Sequence, residues 1–253
     1  MKILITNDDG IESPGLHILA EVLSLRHEVT VVAPDNECSG MSHAINLFRG
    51  ITMREYERIG YKAYSISGTP IDCIKFGIYE ILKNNRPDAV VSGINNLPNL
   101  GTDMIYSGTV NAALDGAICG VKSVALSVSW DKDEDYRFVA EFTDKNLEKL
   151  LSMINTDIVL NINFPSGKKA KINGVRFTDV GKTDYNFFYV KTEDEGLTKY
   201  YHLLGYPVPV DNNEFSDTVS DKVGFITITP IKVNLTDYAA LEEIRSHAAE
   251  IVL

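Results

Sequence analysis

Two adjacent carboxylates near the start of the chain are the residues best suited to chemistry. Asp8 and Asp9 follow the short apolar segment 2–6, which is typical of a buried β-strand, and Gly10 comes directly after them. Ligands of open parallel sheets bind beyond the carboxyl ends of the strands, and hard divalent cations prefer anionic oxygens held close together. The same residues also favour a solvated turn. This motif alone leaves a metal site and a turn equally open.

Two further polar loops are expected at the same edge of the sheet. The segment 39–43 (Ser-Gly-Met-Ser-His) comes soon after a predicted strand at 29–33, and Asn95 comes soon after another at 88–92. Since all three loops follow parallel strands, they should converge. Two carboxylates, a hydroxyl and an asparagine carbonyl would suit Mg²⁺ or Mn²⁺. We interpret His43 as structural, because a lone histidine more often has a structural role than a catalytic one.

A third polar segment could hold a phosphate. Ser107, Gly108 and Thr109 open a helix predicted at about 108–119, where free backbone N–H groups and two hydroxyls would face an anion. The alternative is an ordinary N-cap with a close-packing glycine. A cation beside a phosphate would imply phosphoryl chemistry, in which a water activated by the metal attacks phosphorus.

A covalent aspartyl-phosphate mechanism fits the sequence less well. Phosphatases of that kind need a carboxylate nucleophile first after strand 1 and a second carboxylate two residues later. Here the first position is Asn7, and Asp8 and Asp9 are adjacent. Direct attack by water is therefore the better hypothesis.

The elements that must position these residues alternate between strands and helices as far as residue 165. This order predicts an α/β fold with a Rossmann-like, doubly wound, mostly parallel sheet. Ser13-Pro14 and Thr69-Pro70 mark two helix starts. One predicted helix begins at Pro14, and three others span 70–83, 108–119 and 135–154. The predicted strands or extended segments are 2–6, 29–33, 45–55, 63–66, 88–92, 121–128 and 158–163.

The last third of the chain has a different pattern. Short aromatic segments at 185–191 and 199–206 flank an acidic tip at 193–196, which predicts a β-hairpin arm. Its aromatic side chains suit a subunit contact, although the arm could also fold onto its own domain. Further strands are predicted at 175–178 and 225–229, a polar stretch at 207–223, and a terminal helix at 235–251 capped by Thr236. We expect residues 1–165 to form the catalytic core and residues 166–253 to serve oligomerisation.

Composition excludes several classes of protein. The 253 residues carry a net charge of −11, which argues against a nonspecific nucleic-acid binder. Three scattered cysteines do not form a disulfide framework or a zinc site, so a reduced, cytoplasmic protein is expected. Met1 leads straight into a strand without a signal-like segment, and no apolar run approaches the ~20 residues that a membrane span needs.

Several motifs together resemble one family, the SurE-type (survival protein E) 5′/3′-nucleotidases. The resemblance covers nearly the whole chain in order, and the matching segments are 5–11, 33–40, 68–73, 92–103, 106–113 and 224–230. It implies hydrolysis of nucleoside monophosphates, and in some members of polyphosphate, by dimers or tetramers built through the C-terminal part. It also implies one divalent metal ion (Mg²⁺, Mn²⁺ or similar), held by Asp8, Asp9, Ser39 and Asn95.

The same resemblance implies phosphate contacts from Ser107, Gly108 and Thr109, with Gly40 and Ser42 nearby. Asp8, Asp9 and Asn95 are then the catalytic candidates. One departure from the family pattern is Leu97, where a glycine is usual, and a leucine does not readily take a positive φ.

The sequence therefore predicts a metal-dependent phosphomonoesterase that acts on nucleoside 5′- or 3′-monophosphates. The alternatives are a phosphatase for polyphosphate or another phosphomonoester, and a nucleotide-binding sensor in which Leu97 has disabled the site.

Overall fold

The computed structural model describes residues 1–129, 136–166, 168–208 and 210–247. Nine strands form one sheet: β1 (Lys2–Thr6), β2 (Glu28–Pro34), β3 (Met53–Tyr56), β4 (Lys62–Ile66), β5 (Ala89–Asn95), β6 (Lys122–Val128), β7 (Ile158–Phe164), β8 (Gly174–Phe177) and β11 (Phe225–Lys232). Their order across the sheet is β3-β4-β2-β1-β5-β6-β7-β11-β8.

The sheet is parallel wherever it carries the predicted site. Strand β1 pairs in parallel with β2 on one side and β5 on the other, with Ile3 opposite Val29 and Ala89. The chain runs outward from β1 to β4, and then crosses back to β5 and continues to β7. The direction of winding thus changes between β1 and β5, which is where ligands of doubly wound sheets bind. The predicted Rossmann-like α/β fold is confirmed.

Helices cover both faces because side chains along a strand point alternately to the two sides. The helices are α1 (Pro14–Ser24), α2 (Pro70–Phe76), α3 (Gly108–Ile118), α4 (Tyr136–Ser152), α5 (Asp217–Lys222) and α6 (Tyr238–Ser246). Ile3 and Ile5 face one apolar cluster, which also contains residues of α1 and α4, and Leu4 faces another that contains residues of α2 and α3. No helix in the described ranges is long and apolar enough to cross a membrane.

Two predicted elements of the first half are shorter than expected. The helix predicted over 70–83 is α-helical only to Phe76 and continues as a π-helical turn over Gly77–Ile81. The extended segment predicted at 45–55 is a strand only over Met53–Tyr56. Asn46 interrupts it, because its backbone N–H donates to the carboxylate of Asp72 and its own side chain accepts from the Arg49 N–H.

Two C-terminal expectations also need correction. The polar stretch 207–223 contains helix α5, which Ser216 caps by accepting from the Val219 N–H. The terminal helix is capped by Asp237 rather than Thr236, since the Asp237 carboxylate accepts from two backbone N–H groups of the first turn. The predicted helix start at Asp135 and helix end at Ile251 lie outside the described residues.

The predicted hairpin is a separate two-stranded sheet. Strands β9 (Asp184–Glu195) and β10 (Thr198–Val208) pair antiparallel along their whole length, and most of their side chains are exposed. The hairpin and the terminal helix were both predicted and are confirmed. Strand β11 pairs with β7 in the main sheet and β8 pairs with β11, so residues from both proposed parts of the chain share one sheet.

Candidate active site

Asp8 is held in a rigid, buried turn at the end of β1. The Asn7 side chain donates to the Gly10 carbonyl at 3.1 Å and accepts from the Gly10 N–H at 3.2 Å, which closes the turn. Gly10 has φ +97°, a conformation that glycine adopts without strain. Asp8 is only 3% exposed, and Asp9 is half-buried. Asn7 thus closes the turn and fixes the backbone that carries the two carboxylates.

The three predicted loops contact one another. The Cys38 N–H donates to the Asp8 carbonyl at 2.7 Å, which joins the loop after β2 to the loop after β1. Ser42 joins it to the loop after β5, because its N–H donates to the Tyr106 carbonyl at 3.0 Å and its hydroxyl to the Ile105 carbonyl at 2.7 Å.

The start of helix α3 lies directly against Asp8. The Thr109 hydroxyl donates to Asp8 Oδ1, and a Cβ added to Gly108 would lie 2.7 Å from Asp8 Cβ. Only glycine allows this approach. Burial raises the pKa of the Asp8 carboxyl, and hydrogen bonds from Thr109 and from the Gly108 backbone offset part of the rise. The N-terminus of α3 therefore already stabilises negative charge.

Ser107 has the ordinary role that the sequence left open, because it caps α3. Its Oγ accepts from the Val110 N–H at 3.1 Å. Capping uses an oxygen lone pair, so the hydroxyl hydrogen is still able to donate to an anion. Gly40 (φ +74°) and Ser42 (φ +54°) take left-handed backbone conformations in the neighbouring loop.

The oxygen donors at this edge fit a hard divalent cation. Asn95 is buried, and its Nδ2 donates to the Leu97 carbonyl at 2.7 Å, which leaves its Oδ1 as an acceptor. Ser39 is exposed and donates its hydroxyl hydrogen to Glu37 at 2.9 Å, so its oxygen keeps lone pairs. Within the described ranges no group of three or more His, Cys, Asp or Glu side chains is arranged to hold a metal. A cation held at this edge would be bound by carboxylate, amide and hydroxyl oxygens.

Open clefts flank the loop that carries Ser39. One, of about 360 Å³, is lined by Asp9, Glu37 and Asn96 among others. The other, of about 680 Å³, lies between this loop and the segment 67–69. Both are within the usual size range of small-molecule sites.

Two polar residues of the loop after β5 serve the fold. The Asn99 side chain donates to Ser127 at 2.8 Å. Asp103 accepts from the Tyr185 hydroxyl at 2.6 Å and so fastens the base of the hairpin. Their partners lie 28 and 82 residues further along the chain, so no local pattern in the sequence indicates these contacts.

His43 has partners that sequence reasoning missed. Its ring contacts Asn111 and Asp115 of α3, and Asp115 also binds Lys75 of α2. The i,i+4 spacing of the two α3 residues was the available sequence clue, since it puts both on one helix face.

Comparison with known proteins decides the family. The model for the family described as Survival protein SurE matches residues 3–187. The chain belongs to the SurE family. The protein called 5′-nucleotidase SurE in Caldanaerobacter subterraneus subsp. tengcongensis is 41% identical over 253 residues, covering 99% of this chain and 98% of that protein. The protein of the same name in Thermoanaerobacter sp. is 42% identical and covers 97% of this chain and 98% of its own length.

A solved structure extends the likeness to the fold. The crystal structure of the SurE protein from Aquifex aeolicus is 33% identical, with a TM-score of 0.83, and the match covers 97% of this chain and 99% of that one. In this SurE-family chain, Ser42 is the single non-glycine residue with a positive φ among those described. Leu97 therefore does not have the positive φ that a glycine there would allow, and its backbone carbonyl instead orients Asn95.

Proposed function

We propose that this protein is a metal-dependent phosphomonoesterase that hydrolyses nucleoside 5′- or 3′-monophosphates. The observation that carries the proposal is the contact between the buried carboxylate of Asp8 and the first residues of α3. A group that would hold a cation thus adjoins a helix N-terminus that would hold a phosphate, and metal-assisted hydrolysis of a phosphate ester uses both. The relatives' names support a nucleotide as the substrate.

In this proposal Asp8, Asp9, Ser39 and Asn95 would hold the cation. When bound, a divalent cation supplies Lewis-acid activation of water and of a phosphoryl oxygen. The turn closed by Asn7 fixes the backbone from which the Asp8 and Asp9 side chains extend.

The phosphate would be bound by the start of α3. The Ser107 hydroxyl and the backbone N–H groups of Gly108 and Thr109 would be the donors, with the two N–H groups shared between the phosphate and Asp8. The helix dipole favours the charge that builds on the equatorial oxygens. Gly40 and Ser42 lie in the loop fastened to the residues just before α3, so they would line the phosphate from the other side.

The sensor alternative rested on a disabled loop at Leu97. Because Leu97 adopts its place without a positive φ and supports the side chain of Asn95, that reason does not apply. No observation favours polyphosphate over a nucleotide.

Phosphate release from a substrate panel tests the proposal. The wild-type protein should release phosphate from 5′-AMP, 5′-GMP or 3′-AMP with Mn²⁺ or Mg²⁺, and should lose this activity in excess EDTA. The Asp8→Asn variant is the matched control, since it keeps the shape of the side chain. Binding of AMP without release, or release that EDTA and Asp8→Asn leave unchanged, would contradict the proposal.

We also propose that the protein is a cytoplasmic homodimer or homotetramer assembled through residues 166–253, with residues 1–165 as the catalytic part. Exposed aromatic side chains along the hairpin, such as Phe187 (62%) and Tyr189 (70%), support a subunit contact. The three cysteines are free and buried, which suits a reducing compartment. Light scattering should give a dimer or tetramer for the full chain and a smaller species when 186–206 is replaced by a short glycine linker. A full-length monomer would refute the assembly.

A further inference from the structure

Asn111 fixes which nitrogen of His43 carries a hydrogen. The Asn111 Nδ2 donates to the carbonyls of Ser107 at 2.8 Å and Ile105 at 3.0 Å, so its Oδ1 faces the other way. This oxygen lies 3.1 Å from His43 Nδ1. An amide oxygen only accepts, and the His43 Nδ1 must therefore donate.

Asp115 requires a hydrogen on the other ring nitrogen of His43. Its side chain is 2% exposed, and its Oδ1 lies 2.9 Å from Lys75 Nζ and 3.3 Å from His43 Nε2. The Cys119 thiol donates to the second oxygen. A carboxylate stabilised by an ammonium group is ionised and only accepts, so Nε2 must donate as well. The ring satisfies both acceptors only as the doubly protonated imidazolium.

The ion pair of His43 lies next to the contact between the Ser42 loop and the segment just before α3. His43 directly follows Ser42, whose two hydrogen bonds reach Ile105 and Tyr106 just before α3. Asn111 binds the carbonyls of the same segment. One cluster thus joins the loop with Gly40 and Ser42 to the helix start.

We propose that the protonated His43 is a positioning residue, which fastens the loop carrying Gly40 and Ser42 to helix α3 and so completes the phosphate-binding half of the site. The inference rests on the proposed function, because it assigns the loop to the substrate phosphate. His43 takes no part in the bond-breaking step, and its loss weakens substrate binding more than turnover.

The charges around His43 set the direction of its pH dependence. Hydrogen bonding to Asp115 raises the pKa of His43, while burial and the Lys75 ammonium oppose the rise. Burial also raises the pKa of the Asp115 carboxyl, but its hydrogen bonds to His43 and Lys75 outweigh this and lower it. The ion pair between His43 and Asp115 is therefore fully formed at low pH and is lost as pH rises through the raised pKa of His43.

Two variants with opposite expected effects test the proposal. His43→Gln keeps one donor but no charge, and at pH 6 it should raise KM for AMP about tenfold, the size expected for one charge-assisted hydrogen bond, with kcat within about threefold. The ratio of its KM to the wild-type KM should fall towards one by pH 8.5. Taking the ratio cancels titration of the substrate phosphate.

Lys75→Met removes a positive charge that faces the same carboxylate. When His43→Gln is compared with its parent in the Lys75→Met background, the pH at which the KM ratio reaches one should move upward. The reason is that Asp115 then has His43 as its remaining cationic partner. A general loss of structure would weaken substrate binding in both variants at every pH and would not shift the pH at which the KM ratio reaches one. A constant KM ratio across pH, or a downward shift in Lys75→Met, overturns the proposal.

A measurement without activity separates this inference from the proposed function. The ¹³C–¹H resonances of the His43 ring, assigned by their loss in His43→Gln, should titrate above the usual value of about 6.5 in the protein alone. A pKa at or below that value refutes the imidazolium, whether or not the protein releases phosphate. A raised pKa together with no phosphate release from any nucleotide would refute the proposed function and leave the ion pair standing.

Discussion

Substitution of Gly108 by alanine should damage the candidate site more than the fold. The added Cβ would lie 2.7 Å from Asp8 Cβ and 2.9 Å from Asp8 Oδ2. Carbon atoms normally stay about 3.5–4.0 Å apart, so the helix start and the carboxylate must separate by about 1 Å. A misplacement of this size costs about 100-fold in rate, and we expect kcat/KM for AMP to fall about that much.

Gly116 provides a matched control in the same helix. A Cβ there would lie 2.6 Å from Ser123 Oγ, a similar overlap that is remote from Asp8. Overpacking costs about 1–3 kcal/mol, or several degrees in Tm for a chain of this length. Both variants should lose stability, but Gly116→Ala should keep kcat/KM per folded molecule within about threefold.

The assay is phosphate release with Mn²⁺ at 25 °C, together with thermal unfolding followed by circular dichroism. Wild-type kcat/KM in Gly108→Ala would refute the contact between the helix start and Asp8 in the working enzyme. An equal loss of activity in the two variants would mean that packing, and not the site, explains the effect.

Three further predictions concern the cation, the carboxylate and the hairpin. Asn95→Ala should raise the Mn²⁺ concentration for half-maximal activity about tenfold, as measured by metal titration, and an unchanged value would remove Asn95 from the cation set. Asp8→Asn should abolish phosphate release while circular dichroism shows a folded protein; an unfolded variant would make Asp8 structural. Burial and the hydrogen bond to Asp103 raise the pKa of Tyr185 to about 12, so its contribution to stability should be lost between pH 10 and about 12, and Tyr185→Phe should remove that part of the pH dependence of unfolding.

The sheet could be predicted because its strands follow simple patterns. Ile3, Leu4 and Ile5 are all apolar, as expected of a strand covered on both faces. Segment 45–55 also contains apolar residues, but Leu47 and Phe48 are exposed, and the hydrogen bond from the Asn46 N–H to the distant Asp72 decides its path. Helix α5 was missed because six polar-rich residues carry too little periodicity to be recognised.

The candidate site was predictable to the extent that topology defines it. Asp8 and Asp9 follow β1, and Asn95 ends the neighbouring parallel strand β5, so their common edge follows from the strand order. The ion pair between His43 and Asp115 joins a loop to a helix 72 residues further along the chain. No local pattern contains such a pairing, since it depends on how α3 packs in the finished fold.

A crystal structure of the protein with Mn²⁺ and orthovanadate tests the central claim most directly. We expect a cation about 2.0–2.3 Å from oxygens of Asp8, Asp9 and Asn95, and vanadate oxygens within hydrogen-bonding distance of the backbone N–H groups of Gly108 and Thr109, with one vanadate oxygen shared with the cation. A cation bound elsewhere, or a vanadate too distant to share an oxygen with it, would show that Asp8 and the start of α3 do not form one catalytic site.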